Sequence, residues 1–325
     1  MSLLPDAVTE RAADAGYFAA WRLVRGLPEP VARRAFEQVA DLATIRNGPA
    51  VRQLRRNLTR VLGPDATSSV LQDAVRAGMR SYARYWLETF RLPSMDVASV
   101  LADAHTDGYE HIVRGADLGR GVILALPHSG NWDVAGLWLI QQGHPFTTVA
   151  ERLKPESLFD RFVAYREGLG MEVLALTGGP EPPFDVLKQR LAAGGVICLV
   201  AERDLSRRGI EVEFFGERTR MPAGPALLAA TTGAALLPVH LHYRGRGWGQ
   251  FVGAPIDLGT GRLRDKVQRG TQALADVFAE RIALYPTDWH MLQRLWLADL
   301  DPRRLQLAPT EPPAEGEPSR EPGSG

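Results

Sequence analysis

Apolar residues recur at two different spacings along the chain, and the change of spacing predicts the fold. In the first hundred residues they follow a helical repeat, as at Val51, Leu54 and Leu58. From about residue 110, short apolar runs alternate with helical segments. Strands separated by helices of this length predict an α/β fold, with a mostly parallel central sheet flanked by helices and a helical N-terminal region.

The same pattern places the individual elements. We expect strands at residues 121–126, 146–150, 171–176, 196–201, 235–243 and 250–252, and helices at residues 133–142, 158–169, 183–193, 224–232 and 263–284. Residues 211–215 are expected in a loop. Residues 1–307 are predicted to form a single domain, of which 1–100 is the helical region. The proline-rich, polar tail at residues 308–325 is predicted to be disordered, because it has too little apolar surface to bury.

Composition excludes several classes of protein. The 38 basic and 38 acidic residues give a formal net charge of zero, which argues against a nucleic-acid partner. The single cysteine, Cys198, lies in an apolar run and is expected in the core, so no disulfide framework is predicted. No segment has the pattern of a signal peptide or a transmembrane helix, and any membrane contact is therefore expected to be peripheral.

One N-terminal segment combines apolar and basic residues. Arg52, Arg55, Arg56 and Arg60 lie opposite the apolar repeat that begins at Val51. A solvated surface helix explains this pattern, and so does a helix that contacts an anionic membrane surface. The sequence leaves both interpretations open.

Residues 121–133 contain the most informative motif. An apolar strand leads through a glycine-containing turn to Asp133, which begins a helix five residues after His128. This position is the carboxyl edge of the predicted sheet, where open α/β sheets bind their ligands. A carboxylate on one imidazole nitrogen fixes the tautomer and leaves the other nitrogen free to take a proton. We therefore predict that His128 is a general base oriented by Asp133; the alternative is a structural histidine in a turn.

Other charged residues are candidates for the same site. Glu202 follows the strand at 196–201 and is placed either to support His128 or to accept a hydrogen bond from an incoming hydroxyl. Arg208, in the next loop, is a candidate to contact phosphates, and Arg166 is another candidate for binding substrate. Solvated surface positions are the alternative for each of them.

The sequence shows no activated nucleophile near His128. The Gly-x-Ser-x-Gly pattern is absent, and the side chain of the adjacent Ser129 is expected to diverge from the histidine. A base without a nucleophile suggests that a substrate hydroxyl attacks an activated acyl group directly. His240 and His242 share one face of a strand, but no third ligand is evident, so no metal site is expected.

With these residues assembled, the chain resembles the glycerolipid and lysophospholipid acyltransferases, whose hallmark is His-x4-Asp. More narrowly, it resembles the bacterial branch that includes the lipid A lauroyl and myristoyl acyltransferases and the actinobacterial phosphatidylinositol mannoside acyltransferases. The resemblance covers roughly residues 10–300. The matching segments are residues 126–133, 149–152, 201–204, 212–216 and 232–239, followed by the Trp-rich segment at 285–289 with Trp296.

The resemblance implies roles for these residues. By motif position His128 is the base, Asp133 its orienting partner and Glu202 the acidic residue of the branch. Glu151 and Arg203, in two of the matching segments, are expected to bind substrate.

The resemblance also implies the reaction. It implies acyl-CoA as co-substrate without a further cofactor, a glycolipid hydroxyl as acceptor, and peripheral attachment to the inner leaflet, on the cytoplasmic face of the plasma membrane. The third block reads Ala-Glu-Arg where the wider superfamily has Pro-Glu-Gly, which puts a glycerol-3-phosphate acceptor in doubt.

A hydrophobic anchor helix is usual in the lipid A enzymes, and the sequence shows none. This favours transfer of a long acyl group, palmitoyl, to a mannose hydroxyl of a phosphatidylinositol mannoside. A lipid A-like or other glycolipid acceptor, a hydrolase, and a non-catalytic lipid-binding protein are the alternatives.

Overall fold

The structure is a computed structural model that describes residue 22 and residues 24–152, 156–204 and 209–300. The tail at 308–325, predicted to be disordered, and the candidate Arg208 lie outside the described residues.

Four helices form the described N-terminal region: α1 (Glu29–Arg46), α2 (Pro49–Leu62), α3 (Ser68–Arg91) and α4 (Val97–Asp103). Helix α2 buries Val51, Leu54 and Leu58 against α1 and α3. Its apolar face is therefore part of the core. Arg60, on the predicted basic face, is paired with Glu217 at 2.8 Å and Asp299 at 2.9 Å.

A seven-stranded sheet forms the centre of the remaining chain. In spatial order its strands are β1 (Ala104–Asp107), β9 (Gly247–Val252), β8 (Ala235–Arg244), β2 (Val122–Leu126), β5 (Val196–Val200), β3 (Phe146–Ala150) and β4 (Glu172–Ala175). Neighbouring strands run parallel except for the β8–β9 pair. The mostly parallel α/β sheet predicted from the sequence is confirmed.

Helices accompany this sheet: α5 (Tyr109–Asp117), α6 (Trp132–Gln141), α7 (Glu156–Gly168), α8 (Pro183–Ala192), α9 (Gly224–Thr232) and α10 (Leu263–Leu284). Two large apolar clusters include opposite-facing residues of β2, as the period-two alternation of a strand requires. Ile123 and Ala125 pack into one cluster with α9 and α10, whereas Leu124 and Leu126 pack into the other with α6.

The structure corrects one predicted element and adds elements that the sequence did not predict. The expected loop at 211–215 belongs largely to a hairpin of β6 (Ile210–Phe214) and β7 (Glu217–Met221). Val212 and Phe214 are buried and flank the exposed Glu213, and Phe215 and Gly216 make the turn at φ of 52° and 73°. Strand β1 was not predicted, because its four residues alternate between half-buried and exposed without a continuous apolar run. None of the helices in the described ranges is both long and apolar enough to cross a bilayer.

Candidate functional site

The carboxyl ends of three neighbouring strands meet at one edge of the sheet. Strand β5 pairs with β2 on one side and with β3 on the other. Residues just past these ends, His128, Glu151 and Arg203, line one cavity of about 1020 Å³ together with Arg166 from α7. The structure thus brings together four of the candidates chosen from the sequence, and Arg208 lies outside the described residues.

His128 is held by the buried Glu202. Glu202 Oε1 lies 2.7 Å from His128 Nδ1 and accepts a second hydrogen bond of 2.7 Å from the His128 backbone N–H. Because an ionised carboxylate only accepts hydrogen bonds, this contact assigns the proton to Nδ1 and leaves Nε2 with a free lone pair. The Glu202 side chain has no exposed surface, whereas that of His128 is 34% exposed. His128 therefore meets the cavity, with a carboxylate behind it.

Asp133 is not the partner of His128, so the predicted contact was wrong. Its Oδ1 accepts a hydrogen bond of 2.9 Å from Arg166 Nε, and its Oδ2 lies 3.4 Å from the Thr89 hydroxyl and 3.5 Å from that of Tyr85. The reason is local: Asn131 caps α6, so Asp133 lies in the first turn of that helix. Its carboxylate consequently faces α3 and α7 and not the end of β2.

The buried Asp133–Arg166 pair keeps the Arg166 guanidinium charged. Burial is the largest single influence on the pKa of the Arg166 guanidinium and lowers it, but the charge of Asp133, added to the other favourable interactions of the group, outweighs burial, and the pKa is raised. Burial together with the charge of Asp133 raises the pKa of both Tyr85 and Tyr165 well above the usual range. Neither tyrosine ionises near neutral pH, and the guanidinium stays charged where it lines the cavity.

His290 is a residue of the site that the sequence analysis did not select. Its backbone N–H donates to the His128 carbonyl at 2.7 Å, and His290 is one of the residues that line the cavity. Its Nε2 lies 2.9 Å from the Ser81 hydroxyl, which donates to Asp288 at 2.8 Å. Because this hydroxyl has one proton, it accepts from His290 Nε2–H, and Nδ1 is a lone-pair acceptor.

His290 stays neutral and has an unused acceptor. Burial, and to a smaller extent the charge of His128, lowers its pKa to about 3. Nδ1 is buried and has no hydrogen-bond partner among the described residues. In the sequence, the only indication of His290 was its position directly after the Trp-rich segment. His290 reaches the site because this segment packs beside the end of β2 in the fold.

A narrow apolar pocket adjoins the cavity. It lies between α6 and one face of the sheet, and both spaces are lined by Trp132, Val149, Arg166 and Val200. The Trp132 ring is also in edge contact with the His128 ring, with a centroid distance of 5.8 Å. Cys198 lines this pocket as well, and burial raises the pKa of its thiol, so it remains uncharged.

The sequence matches the bacterial lipid A biosynthesis acyltransferases over residues 7–298. The chain belongs to this family. A phosphatidylinositol mannoside acyltransferase of Mycolicibacterium smegmatis is 56% identical over 295 residues, which cover 90% of this chain and 95% of that relative. One of Mycobacterium tuberculosis is 53% identical over 306 residues, covering 93% of this chain and 94% of the relative. The resemblance inferred from the sequence is confirmed: this member of the family is similar to phosphatidylinositol mannoside acyltransferases over most of its length.

Proposed function

We propose that the protein transfers a long acyl group, palmitoyl, from acyl-CoA to a mannose hydroxyl of a phosphatidylinositol mannoside. One observation carries the chemistry: His128, oriented by Glu202, lines a wide cavity whose mostly apolar wall carries several charged side chains, and a narrow apolar pocket adjoins this cavity. Such a site suits a glycolipid acceptor, which has both polar and apolar parts, on one side and an acyl chain on the other. The names of the relatives support the mannoside acceptor.

In the proposed reaction His128 Nε2 removes the proton of the acceptor hydroxyl as its oxygen attacks the thioester carbonyl. The new C–O bond forms, the C–S bond breaks, and the imidazolium returns its proton to the leaving thiolate of CoA. Glu202 stabilises the transient imidazolium through its charge and its bond to Nδ1. General-base catalysis of this kind contributes roughly 10²- to 10⁴-fold. The thioester is already activated, so the proposed reaction needs no cofactor.

The surrounding residues are suited to binding the two substrates. Glu151 lines the cavity and offers acceptors for sugar hydroxyls. Arg203 lines the cavity and offers a cation for phosphate, of the mannoside or of CoA. Arg166, fixed by Asp133, provides a second positive charge. We infer the same phosphate contact for Arg208.

Helix α1 supports peripheral binding to the inner leaflet of the plasma membrane. It exposes Val39, Leu42 and Ile45, whose side chains are 66%, 46% and 80% accessible, and basic Arg46 and Arg52 are exposed nearby. Apolar side chains flanked by cations suit an anionic lipid surface. Sedimentation with anionic and with neutral vesicles tests this contact, since equal binding to both would contradict it.

Incubation with radiolabelled palmitoyl-CoA and a panel of glycolipids, followed by mass spectrometry of the lipids, tests the proposed function. The wild type is expected to acylate the mannoside, and His128→Ala is expected to lose at least about 10²-fold in rate. His105→Ala, at an exposed histidine, is the matched control. Full activity of His128→Ala would end this mechanism.

Other products of the same assay identify the alternatives. If a lipid A-like sugar is acylated and the mannoside is not, the acceptor suggested by the family description is favoured. Thiol release with no acylated lipid would indicate hydrolysis. Binding of palmitoyl-CoA with neither product would indicate a lipid-binding protein.

A further inference from the structure

The apolar pocket crosses five strands of the sheet. Its floor is one face of β3, β5, β2, β8 and β9, on which alternate residues point towards α6. The floor residues are Phe146, Thr148, Cys198, Val200, Leu124, Leu126, Val239, Leu241, Gln250 and Val252. The residues shared with the cavity include Val149 of β3 and Val200 of β5, so the pocket opens at the β3–β5 side and ends at β9.

The length of this path corresponds to a long acyl chain. From β3 to β9 there are four interstrand spacings of about 4.8 Å, or roughly 19 Å. An extended chain advances about 1.3 Å per covalent bond, since three bonds join Cα atoms about 3.8 Å apart. The path is therefore as long as about 15 bonds, the span of a chain of roughly 16 carbons. The pocket has a volume of about 100 Å³, so its lining side chains must move apart when such a chain enters.

Gln250 differs from the other polar residues of this pocket. Asp133 and Arg166 at the open side are paired with each other, and the Thr148 hydroxyl donates to the Cys198 carbonyl at 2.8 Å. Gln250 is 6% exposed, and its Nε2 is buried without a partner among the residues that the structure describes. An unpaired amide donor thus lies at the closed end, on the last strand of the floor.

We propose that Gln250 sets the maximum length of the acyl chain that the enzyme accepts. This inference rests on the proposed function and deepens it. A chain that ends short of β9 leaves space for a water molecule that pairs with the amide. A longer chain presses its terminal methyl group against the amide and leaves the buried donor unpaired. Such a donor disfavours binding by roughly 5- to 150-fold.

The test is the acyl-chain profile of three variants, measured with saturated acyl-CoA substrates from C12 to C20. Gln250→Ala removes the amide and opens space, so the longest well-used chain should lengthen by about two carbons or more. Gln250→Trp fills the end of the pocket, so the optimum should shorten. Gln141→Ala, the same change as Gln250→Ala at an exposed position of α6, is the control and should keep the wild-type profile.

Direct binding of the same acyl-CoA series, by calorimetry, provides a second readout. The assignment of Gln250 is overturned if the wild type prefers long chains and both Gln250 variants fold and keep the wild-type profile. If Gln250→Trp does not fold, an unchanged Gln250→Ala profile is sufficient to overturn it. Wild-type binding that does not depend on chain length would instead overturn the acyl pocket, and with it the proposed function.

Discussion

Two buried carboxylates lie at neighbouring positions of the site and have different partners. Glu202, past the end of β5, accepts two hydrogen bonds from His128. Asp133, in the first turn of α6, pairs with Arg166. The partner of Glu202 is an imidazole, a side chain that serves as a general base, whereas the guanidinium beside Asp133 stays charged. The difference separates a carboxylate suited to proton transfer from one that fixes a positive charge.

The two carboxylates also differ in the side chain that each supports. Loss of Asp133 would leave Arg166, whose side chain is only 17% exposed, without its charge partner. Loss of Glu202 would leave His128 without the group that assigns its tautomer. We therefore expect substitutions of Glu202 to act mainly on the rate and substitutions of Asp133 mainly on stability.

The largest expected effect is on catalysis at Glu202. Glu202→Gln keeps an oxygen that can accept from His128 but removes the charge that we propose stabilises the imidazolium. We expect its kcat to fall by roughly 10²- to 10⁴-fold, with a smaller change in KM, in the palmitoyl transfer assay. Glu213→Gln, at an exposed position of β6, is the control. Wild-type kcat in Glu202→Gln would show that this carboxylate is not needed for proton transfer.

The second effect is on folding at Asp133. Asp133→Asn leaves a mostly buried guanidinium uncompensated, and we expect the free energy of unfolding in urea to fall by about 3–5 kcal/mol. The double variant Asp133→Asn with Arg166→Met removes the stranded charge and is expected to recover much of this loss. If the loss in free energy of unfolding of the double variant equals the sum of the losses in Asp133→Asn and Arg166→Met, the pairing of the two charges is not the source of the stability.

The sequence predicted the candidate residues better than it predicted their pairing. His128 and Glu202 each lie two positions past a strand end, and Leu126 pairs with Val200 in the sheet register. Local periodicity locates both strand ends, but it does not say which strands are neighbours. The five-residue spacing to Asp133 was visible in the sequence, whereas the contact across 74 residues required the strand order.

Elements with a strong local pattern were predicted almost to the residue, and long-range contacts were not. Helices at 224–232 and 263–284 and the strand at 146–150 match the structure, because apolar spacing and glycine or proline boundaries define them. His290 could not be found in this way. Its place depends on a backbone hydrogen bond to His128, 162 residues earlier in the chain, and on Ser81 of α3.

A third buried carboxylate, Asp288, lies near a histidine without contacting it directly, and the effect expected there is small. Asp288 reaches His290 only through the Ser81 hydroxyl. Burial lowers the pKa of His290 to about 3, against about 6.5 for an unfolded histidine. Between these values the unfolded chain binds the proton and the native protein does not, so falling pH destabilises the native state. This histidine should contribute a slope of up to about 1.4 kcal/mol per pH unit below pH 6.5.

Urea unfolding at pH 7.5, 6.5, 5.5 and 4.5 measures this contribution. His290→Gln removes the titrating ring, so its stability should depend less steeply on pH than that of the wild type below pH 6.5. Above pH 7 the two slopes should agree, which serves as the internal control. Equal slopes below pH 6.5 would mean that His290 takes up a proton in the folded protein. Contact through Ser81 would then support a protonated ring, as we propose that direct contact with Glu202 does for His128, and the distinction between the two histidines would be lost.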